Sequence, residues 1–145
     1  MEPSSLGRIE SIKALYIDAP VKKVWAVHTD INTWAAWHPG ITEATLDGKL
    51  AQGAVFRWKS GGMSIESTVE KLAEGEEIHW SGRALGTRAF HKWYFKKKGD
   101  GTIVSTEETM GGWLVLILRI VLPKFLDRSI DEWLANLKKR AESAR

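Results

Sequence analysis

Residues 56–110 read FRWKSGGMSIESTVEKLAEGEEIHWSGRALGTRAFHKWYFKKKGDGTIVSTEETM, and this stretch decides the fold. Apolar and polar residues alternate along it, which is the period of a β-strand with one buried face. Glycine-containing turn signals interrupt the alternation about every ten to fifteen residues. These signals are Gly61-Gly62, Glu74-Gly75, the stretch 82–86 and Gly99-Asp100-Gly101. Together with Asp47-Gly48 upstream, they predict an antiparallel meander of about six strands between Ile41 and Met110.

Each turn determines which residues face one another across its hairpin, because the numbers of opposed residues have a constant sum. With turns centred on 61–62, 74–75, 84–85 and 99–100, the opposed pairs are Trp58 and Ile65, Val69 and Trp80, Trp80 and Ala89, and His91 and Glu108. Opposed residues share a face, so the four turns predict one continuous face across the sheet. Its members are Phe56, Trp58, Ile65, Ser67, Val69, Ile78, Trp80, Gly82, Ala89, His91, Trp93, Phe95, Val104, Thr106, Glu108 and Met110.

The other face of the sheet is mostly charged or polar, and the apolar face must therefore be covered. The cover is predicted at the C-terminus, where Leu126, Ile130, Trp133, Leu134, Leu137 and Ala141 form one stripe at helical spacing. A strand over 8–17 precedes the sheet. Two short helices, after Pro20 and after Asp30, follow that strand. The fold class is α+β: a curved antiparallel sheet of about seven strands wrapped around one long helix, in a single domain over 1–145.

Composition excludes several classes of function. The 145 residues carry a net charge of only +3, and the basic residues are scattered, so no nucleic-acid partner is expected. Cysteine is absent, and no Ser-hydrolase, nucleotide-binding or zinc motif occurs, so we expect no metal and no cofactor. Residues 1–10 lack the apolar core of a signal peptide, which favours a cytoplasmic protein.

Eight tryptophans predict a wide apolar interior. A straight helix and a bent sheet do not match everywhere, so we expect a cavity between them that binds a small hydrophobic ligand. The predicted ligand-binding residues are Trp34, Trp37, Phe56, Trp58, Ile65, Ser67, Trp80, Trp93, Thr106, Met110, Leu126 and Ile130.

The order of elements and several short stretches resemble a known family. The stretches include Ala19-Pro20, Trp37-His38-Pro39, residues 53–58, His91-Lys92-Trp93 and residues 108–112. In these the chain is similar to the SRPBCC, or START-like, superfamily, and within it to the polyketide cyclase/dehydrase and lipid-transport-like group. The resemblance implies the helix-grip fold and a lipid, polyketide or isoprenoid-like ligand. No catalytic residue is common to that superfamily, so none is carried over.

His91 and Glu108 are ionisable groups on an otherwise apolar face. A carboxyl group beside an imidazole in a dry site could abstract and return a proton, which is the chemistry of a polyketide cyclase or dehydratase. The pair could instead anchor a ligand or tether the sheet by mutual hydrogen bonding. Both interpretations predict contact between the two side chains.

The segment from Trp113 to Leu122 holds nine apolar residues and Arg119, and Pro123 closes it. It is too short to span a bilayer, which needs about 20 residues. It is expected to form a short buried helix, or alternatively a lid that touches a membrane transiently without stable insertion. A third function for the protein is an interaction module of the co-chaperone kind, in which this segment or the outer face of the sheet meets another protein. The sequence leaves the oligomeric state open.

Overall fold

The computed structural model describes residues 8–143 and contains seven strands and four α-helices within that range. The strands are β1 (Ile9–Ile17), β2 (Ile41–Leu46), β3 (Val55–Ser60), β4 (Met63–Ala73), β5 (Glu77–Ala84), β6 (Thr87–Lys98) and β7 (Gly101–Gly111). The helices are α1 (Val21–Thr29), α2 (Trp34–Trp37), α3 (Trp113–Val121) and α4 (Phe125–Ser143), with a 3₁₀ turn at Ile31–Thr33 before α2. The predicted domain also includes residues 1–7 and 144–145, which lie outside the described part of the chain.

The strands form one antiparallel sheet in the order β1-β7-β6-β5-β4-β3-β2. Three of the four predicted registers are confirmed, since Trp58 pairs with Ile65, Val69 with Trp80, and His91 with Glu108. Beyond the β3–β4 hairpin, the sheet ends at β2, which pairs with β3. The predicted α+β class and the helix-grip architecture are therefore confirmed.

The β5–β6 hairpin differs from the prediction by two residues. Trp80 lies opposite His91 rather than Ala89, because the turn is centred on Leu85-Gly86 instead of Ala84-Leu85. Gly86 adopts a φ of +61° at the second loop position, a conformation open to glycine and strained for other residues. A shift of two residues leaves every side chain on its face, so the predicted faces hold.

The concave face of the sheet forms the core. Phe56, Trp80, Trp93 and Val104 are buried on it, whereas Arg57, Lys59 and Lys96 on the opposite face are exposed. Helix α4 covers the concave face with the predicted stripe, all six members of which are buried. Polar contacts join α4 to β1 and to the residue that follows it: Lys13 Nζ lies 3.5 Å from Asp131 Oδ1, and the amide of Asp18 donates to Glu142 Oε2 at 2.7 Å.

Helix α4 runs alongside β1 in the same direction. Ser11 Oγ donates a hydrogen bond to Asp127 Oδ1 at 2.5 Å near the start of both elements. At the other end, Lys138 Nζ donates to the carbonyl of Tyr16 at 3.1 Å. The first residue of β1, Ile9, therefore lies beyond the point where α4 begins.

Helix α3 is the predicted apolar helix, but only one side of it is buried. Val115 is fully buried, whereas Trp113, Ile117, Ile120 and Val121 are exposed. The expectation of a buried helix is thus wrong for its outer side, because α4 begins only after Pro123 and no described element covers α3 there. Within residues 8–143, no helix combines the length and the apolar character needed to cross a membrane.

Candidate functional site

Tryptophans from four elements meet at the centre of the concave face. The Trp34 ring lies 4.9 Å from that of Trp133 and 5.6 Å from that of Trp80, measured between centroids. Trp93 lies 5.5 Å from Trp133. The space between the sheet and α4 is therefore occupied by interlocking indoles at this level.

His28 of α1 is enclosed by these rings. It is fully buried, and its ring centroid lies 4.5 Å from that of Trp93 and 5.1 Å from that of Phe95. Neither ring nitrogen has a hydrogen-bond partner among the described residues. Burial lowers the pKa of His28 to about 3, so this imidazole is neutral at physiological pH.

His91 on β6 is held in one tautomer by Thr106 on β7. The Thr106 hydroxyl donates its only proton to the carbonyl of Lys92 at 3.0 Å. Its oxygen lies 2.8 Å from His91 Nε2, and this contact therefore requires Nε2 to carry the hydrogen. His91 Nδ1 then presents a lone pair. Burial, followed by the neighbouring His28, lowers the pKa of His91 well below its usual value and keeps the ring neutral.

Glu108 lies directly opposite His91, as predicted. Its Oε1 is 3.6 Å from His91 Nδ1, which is beyond hydrogen-bond distance. Burial raises the pKa of Glu108 to about 8, so the carboxyl group is protonated at neutral pH. The side chain nevertheless retains 14% exposure, against 2% for His91. The pair thus combines a neutral acid with a neutral base, and the acid has access to solvent.

The opening beside Glu108 follows from where α4 begins. Ser11, Glu108, His91 and Trp80 form one row across the sheet, and Ser11 is the residue tied to the first turn of α4. The next row lies beyond the start of that helix. Its members Ile9, Met110, Ala89 and Gly82 are all half-buried, whereas Trp93 and Thr106, on the other side of the Glu108 row, are fully buried.

A groove of about 1150 Å³ adjoins this uncovered part of the concave face. Trp58, Ile65 and Ala84 line it from the concave face, and Gly112 and Trp113 line it at the start of α3. Charged side chains of the outer face, including Arg57, Glu66 and Arg83, form its polar side. Arg57 and Arg83 both bind Glu66, so these charges are paired.

The predicted ligand-binding residues divide into three groups. Trp58 and Ile65 line the groove, and Met110 lies in the uncovered row. Trp34, Trp37, Phe56, Trp80, Trp93, Leu126 and Ile130 belong to the packed core. Ser67 and Thr106 are buried polar groups: Ser67 Oγ accepts a hydrogen bond from Trp58 Nε1, and Thr106 holds His91. A ligand cavity between the tryptophans and α4 is not confirmed, and the roles of these residues remain predictions.

Sequence reasoning missed His28 and Trp133 as neighbours of the site. Trp133 contacts Trp34, Trp93 and His28 from α4. The signal for His28 was present, since it follows Val24 and Trp25 on the apolar stripe of α1. An ionisable group on such a stripe is either buried and neutral or functional. Among residues 8–143, no three His, Asp or Glu side chains are grouped so that they could hold a metal ion.

The sequence matches the family model described as "Polyketide cyclase / dehydrase and lipid transport" over residues 13–142. The chain belongs to this family. The predicted resemblance is thus confirmed over nearly the whole chain. No curated protein matches the sequence of this polyketide cyclase/dehydrase family member.

Solved structures agree with the family assignment at the level of the fold. The Zhui aromatase/cyclase from Streptomyces sp. R1128 matches with a TM-score of 0.82 and 15% identity, over 93% of this chain and 94% of that one. A START superfamily protein from Mycobacterium smegmatis gives a TM-score of 0.74 at 15% identity, over 92% and 97%. A hypothetical protein from Helicobacter pylori gives 0.79 at 18%, over 92% and 87%. At these identities the likeness establishes the shared helix-grip fold of the family and no activity.

Proposed function

We propose that this protein binds a small hydrophobic molecule on the part of the concave face that α4 leaves uncovered. The observation that carries the proposal is the half-buried row of Ile9, Met110, Ala89 and Gly82. Along the strands this row lies between the groove residues Ala84, Thr87 and Gly112 and the row that contains Glu108. A concave apolar surface with one convergent polar group is the usual form of a ligand site. Family membership supports a lipid or a polyketide as the ligand.

Glu108 is the polar anchor in this proposal. Successive residues on one face of a strand are about 7 Å apart, so Glu108 lies about that distance from Met110 along β7. Its proton is not engaged by His91, because the two atoms are 3.6 Å apart. A ligand with a carbonyl or hydroxyl group can therefore accept a hydrogen bond from Glu108 while its apolar body lies along Ala89 and Ile65.

The binding proposal is tested by filling the space above this row with a larger side chain. Ala89→Leu adds apolar volume there, and we expect it to weaken binding of an apolar fluorophore at least about tenfold. Ala135→Leu, on the exposed side of α4, is the matched control and should leave the dissociation constant unchanged. Fluorescence titration gives the affinity, and circular dichroism establishes that both variants fold. Equal affinities for the folded wild type and Ala89→Leu would refute this location of the site.

A second function, proton transfer on an enolisable polyketone, is favoured by the neutral acid–base pair. Thr106 fixes the tautomer in which His91 Nδ1 carries a lone pair, and this atom lies 3.6 Å from Glu108 Oε1. In the proposed step Nδ1 removes a proton from the carbon next to a carbonyl group, and Glu108 protonates the carbonyl oxygen. The products are an enol, an imidazolium and a carboxylate. Return of the imidazolium proton to Glu108 restores the pair.

Replacing His91 and Glu108 one at a time distinguishes catalysis from ligand binding. His91→Ala and Glu108→Gln should each abolish cyclisation or dehydration of a poly-β-ketone thioester, because each removes one partner of the transfer. Fluorophore binding should survive in both variants. Product analysis by mass spectrometry measures the reaction. Turnover that persists in His91→Ala, or no turnover by the wild type, would leave Glu108 as a ligand anchor and reject the enzymatic function.

A further inference from the structure

A second pocket lies between the α2 segment and the C-terminal half of α4. Its volume is about 330 Å³, and it shares no lining residue with the groove. Residues 35–39 line one side of it, and Asn136, Lys139, Arg140 and Ser143 line the other. A pocket of this size has room for a small molecule.

Two residues of this pocket carry buried N–H groups that have no acceptor. Trp37 is 9% exposed and His38 is 4% exposed. The amide of Gly40 donates to His38 Nδ1 at 3.1 Å, so Nδ1 carries the lone pair and Nε2 carries the hydrogen. Neither His38 Nε2 nor Trp37 Nε1 has a hydrogen-bond partner among the described residues. Each of these donors therefore requires an acceptor, because burial without one costs free energy.

Packing holds both rings in place. The ring centroid of Trp133 on α4 lies 4.7 Å from that of His38 and 6.0 Å from that of Trp37. On its other side the imidazole packs on Gly40, where a Cβ atom would lie 3.0 Å from His38 Cε1. The two donors are thus fixed in orientation and are not free to turn towards an acceptor elsewhere in the protein.

The charges at the pocket have a positive balance. Lys139 and Arg140 are exposed, and neither forms an ion pair within residues 8–143. Burial lowers the pKa of His38, and the carboxylate of Glu132, which lies near it on α4, acts in the opposite direction. The C-terminal end of α4 adds about half of a negative charge. Two cations therefore outweigh one carboxylate and the partial charge of the helix end.

We propose that this pocket binds the phosphate or carboxylate group of a small molecule. Trp37 and His38 donate hydrogen bonds to the oxygen atoms of that group, and Lys139 and Arg140 complement its charge. Asn136 and Ser143 take no part, since they donate to carbonyl groups of α4 at 2.8 Å and 3.2 Å. Fixed N–H donors together with unpaired cations select an oxyanion over a neutral or a cationic group. The site is independent of ligand binding in the groove.

NMR titration with inorganic phosphate tests the proposal at constant pH and ionic strength. The indole N–H signal of Trp37, identified by its absence in Trp37→Phe, should shift saturably as phosphate is added. Lys139→Gln and Arg140→Gln should each weaken phosphate binding at least about fivefold. Lys97→Gln is the matched control, because it removes the same charge from an exposed position on β6 and should leave the dissociation constant unchanged. Acetate is the second probe: tighter binding of phosphate than of acetate assigns a phosphate group, and the reverse order assigns a carboxylate.

Glu132→Gln provides a test in the opposite direction. It removes the carboxylate near His38, so phosphate should bind about twofold more tightly than to the wild type. A Trp37 signal that neither probe shifts, or equal phosphate affinities of Lys139→Gln, Arg140→Gln and the wild type, would overturn the proposal. A linear shift shared by the indole signals of all eight tryptophans would overturn it as well, since it would report a general effect of ions. Fluorophore affinity should be the same in these variants, so the outcome is separate from that for the groove.

Discussion

Replacing Glu108 by glutamine should change how the stability of the protein depends on pH. The pKa of Glu108 is raised from 4.5 to about 8 in the folded state by burial. Between these values the folded protein keeps a proton that the unfolded chain has released, so the free energy of unfolding falls as the pH rises. The slope is about 1.4 kcal/mol per pH unit, and the whole interval amounts to about 5 kcal/mol if the full shift is realised. Glutamine has the shape of the protonated acid and carries no such penalty.

Urea denaturation followed by tryptophan fluorescence measures this effect at several pH values between 5 and 8. The stability of Glu108→Gln relative to the wild type should increase steadily over this range. Contributions from His28 and His91 are common to both proteins and cancel in the difference. Glu107→Gln, at the adjacent residue on the outer face, is the control and should follow the wild-type slope. Parallel stability curves for Glu108→Gln and the wild type would refute the assignment of a buried, protonated carboxyl group.

Two further substitutions test the core and the attachment of α3. The pKa of His28 is lowered from 6.5 to about 3, so the wild type should lose stability as the pH falls below 6.5. In urea denaturation between pH 4 and 6.5, His28→Leu should lose less stability than the wild type. The same loss of stability in both proteins over this range would contradict the prediction. Gly86→Ala combines a positive φ with a clash against Trp113, whereas Gly48→Ala has the positive φ and open space. Thermal unfolding should show Gly86→Ala to be roughly 1–3 kcal/mol more destabilising than Gly48→Ala, and equal losses would show that Trp113 does not pack on this turn.

The faces of the sheet could be predicted because a strand has a period of two. The β5–β6 register was wrong by two residues, yet Trp80 and His91 remained on the concave face. Only a slip of one residue would have exchanged the faces. The contact between His91 and Glu108 followed in the same way from the turn at Gly99-Asp100, because both lie within one hairpin.

The helix α4 that covers the concave face could also be predicted from the sequence. Its stripe from Leu126 to Ala141 has a period that depends only on local geometry. The exposure of the outer side of α3 could not be predicted from the sequence, because its apolar residues have the same pattern whether they are buried or exposed. What decides their exposure is that α4 begins beyond Pro123 and packs elsewhere.

The sequence by itself determined which side chains share the concave face, because alternation along a strand and the position of a turn are local properties. Tertiary structure alone decided which part of that face stays open. The opening depends on where α4 begins along β1, and the hydrogen bond between Ser11 and Asp127 joins residues 116 positions apart. The tertiary structure also decided the charge states of two side chains. His28 and Glu108 are neutral because elements distant in sequence bury them, and burial disfavours the charged form of each group.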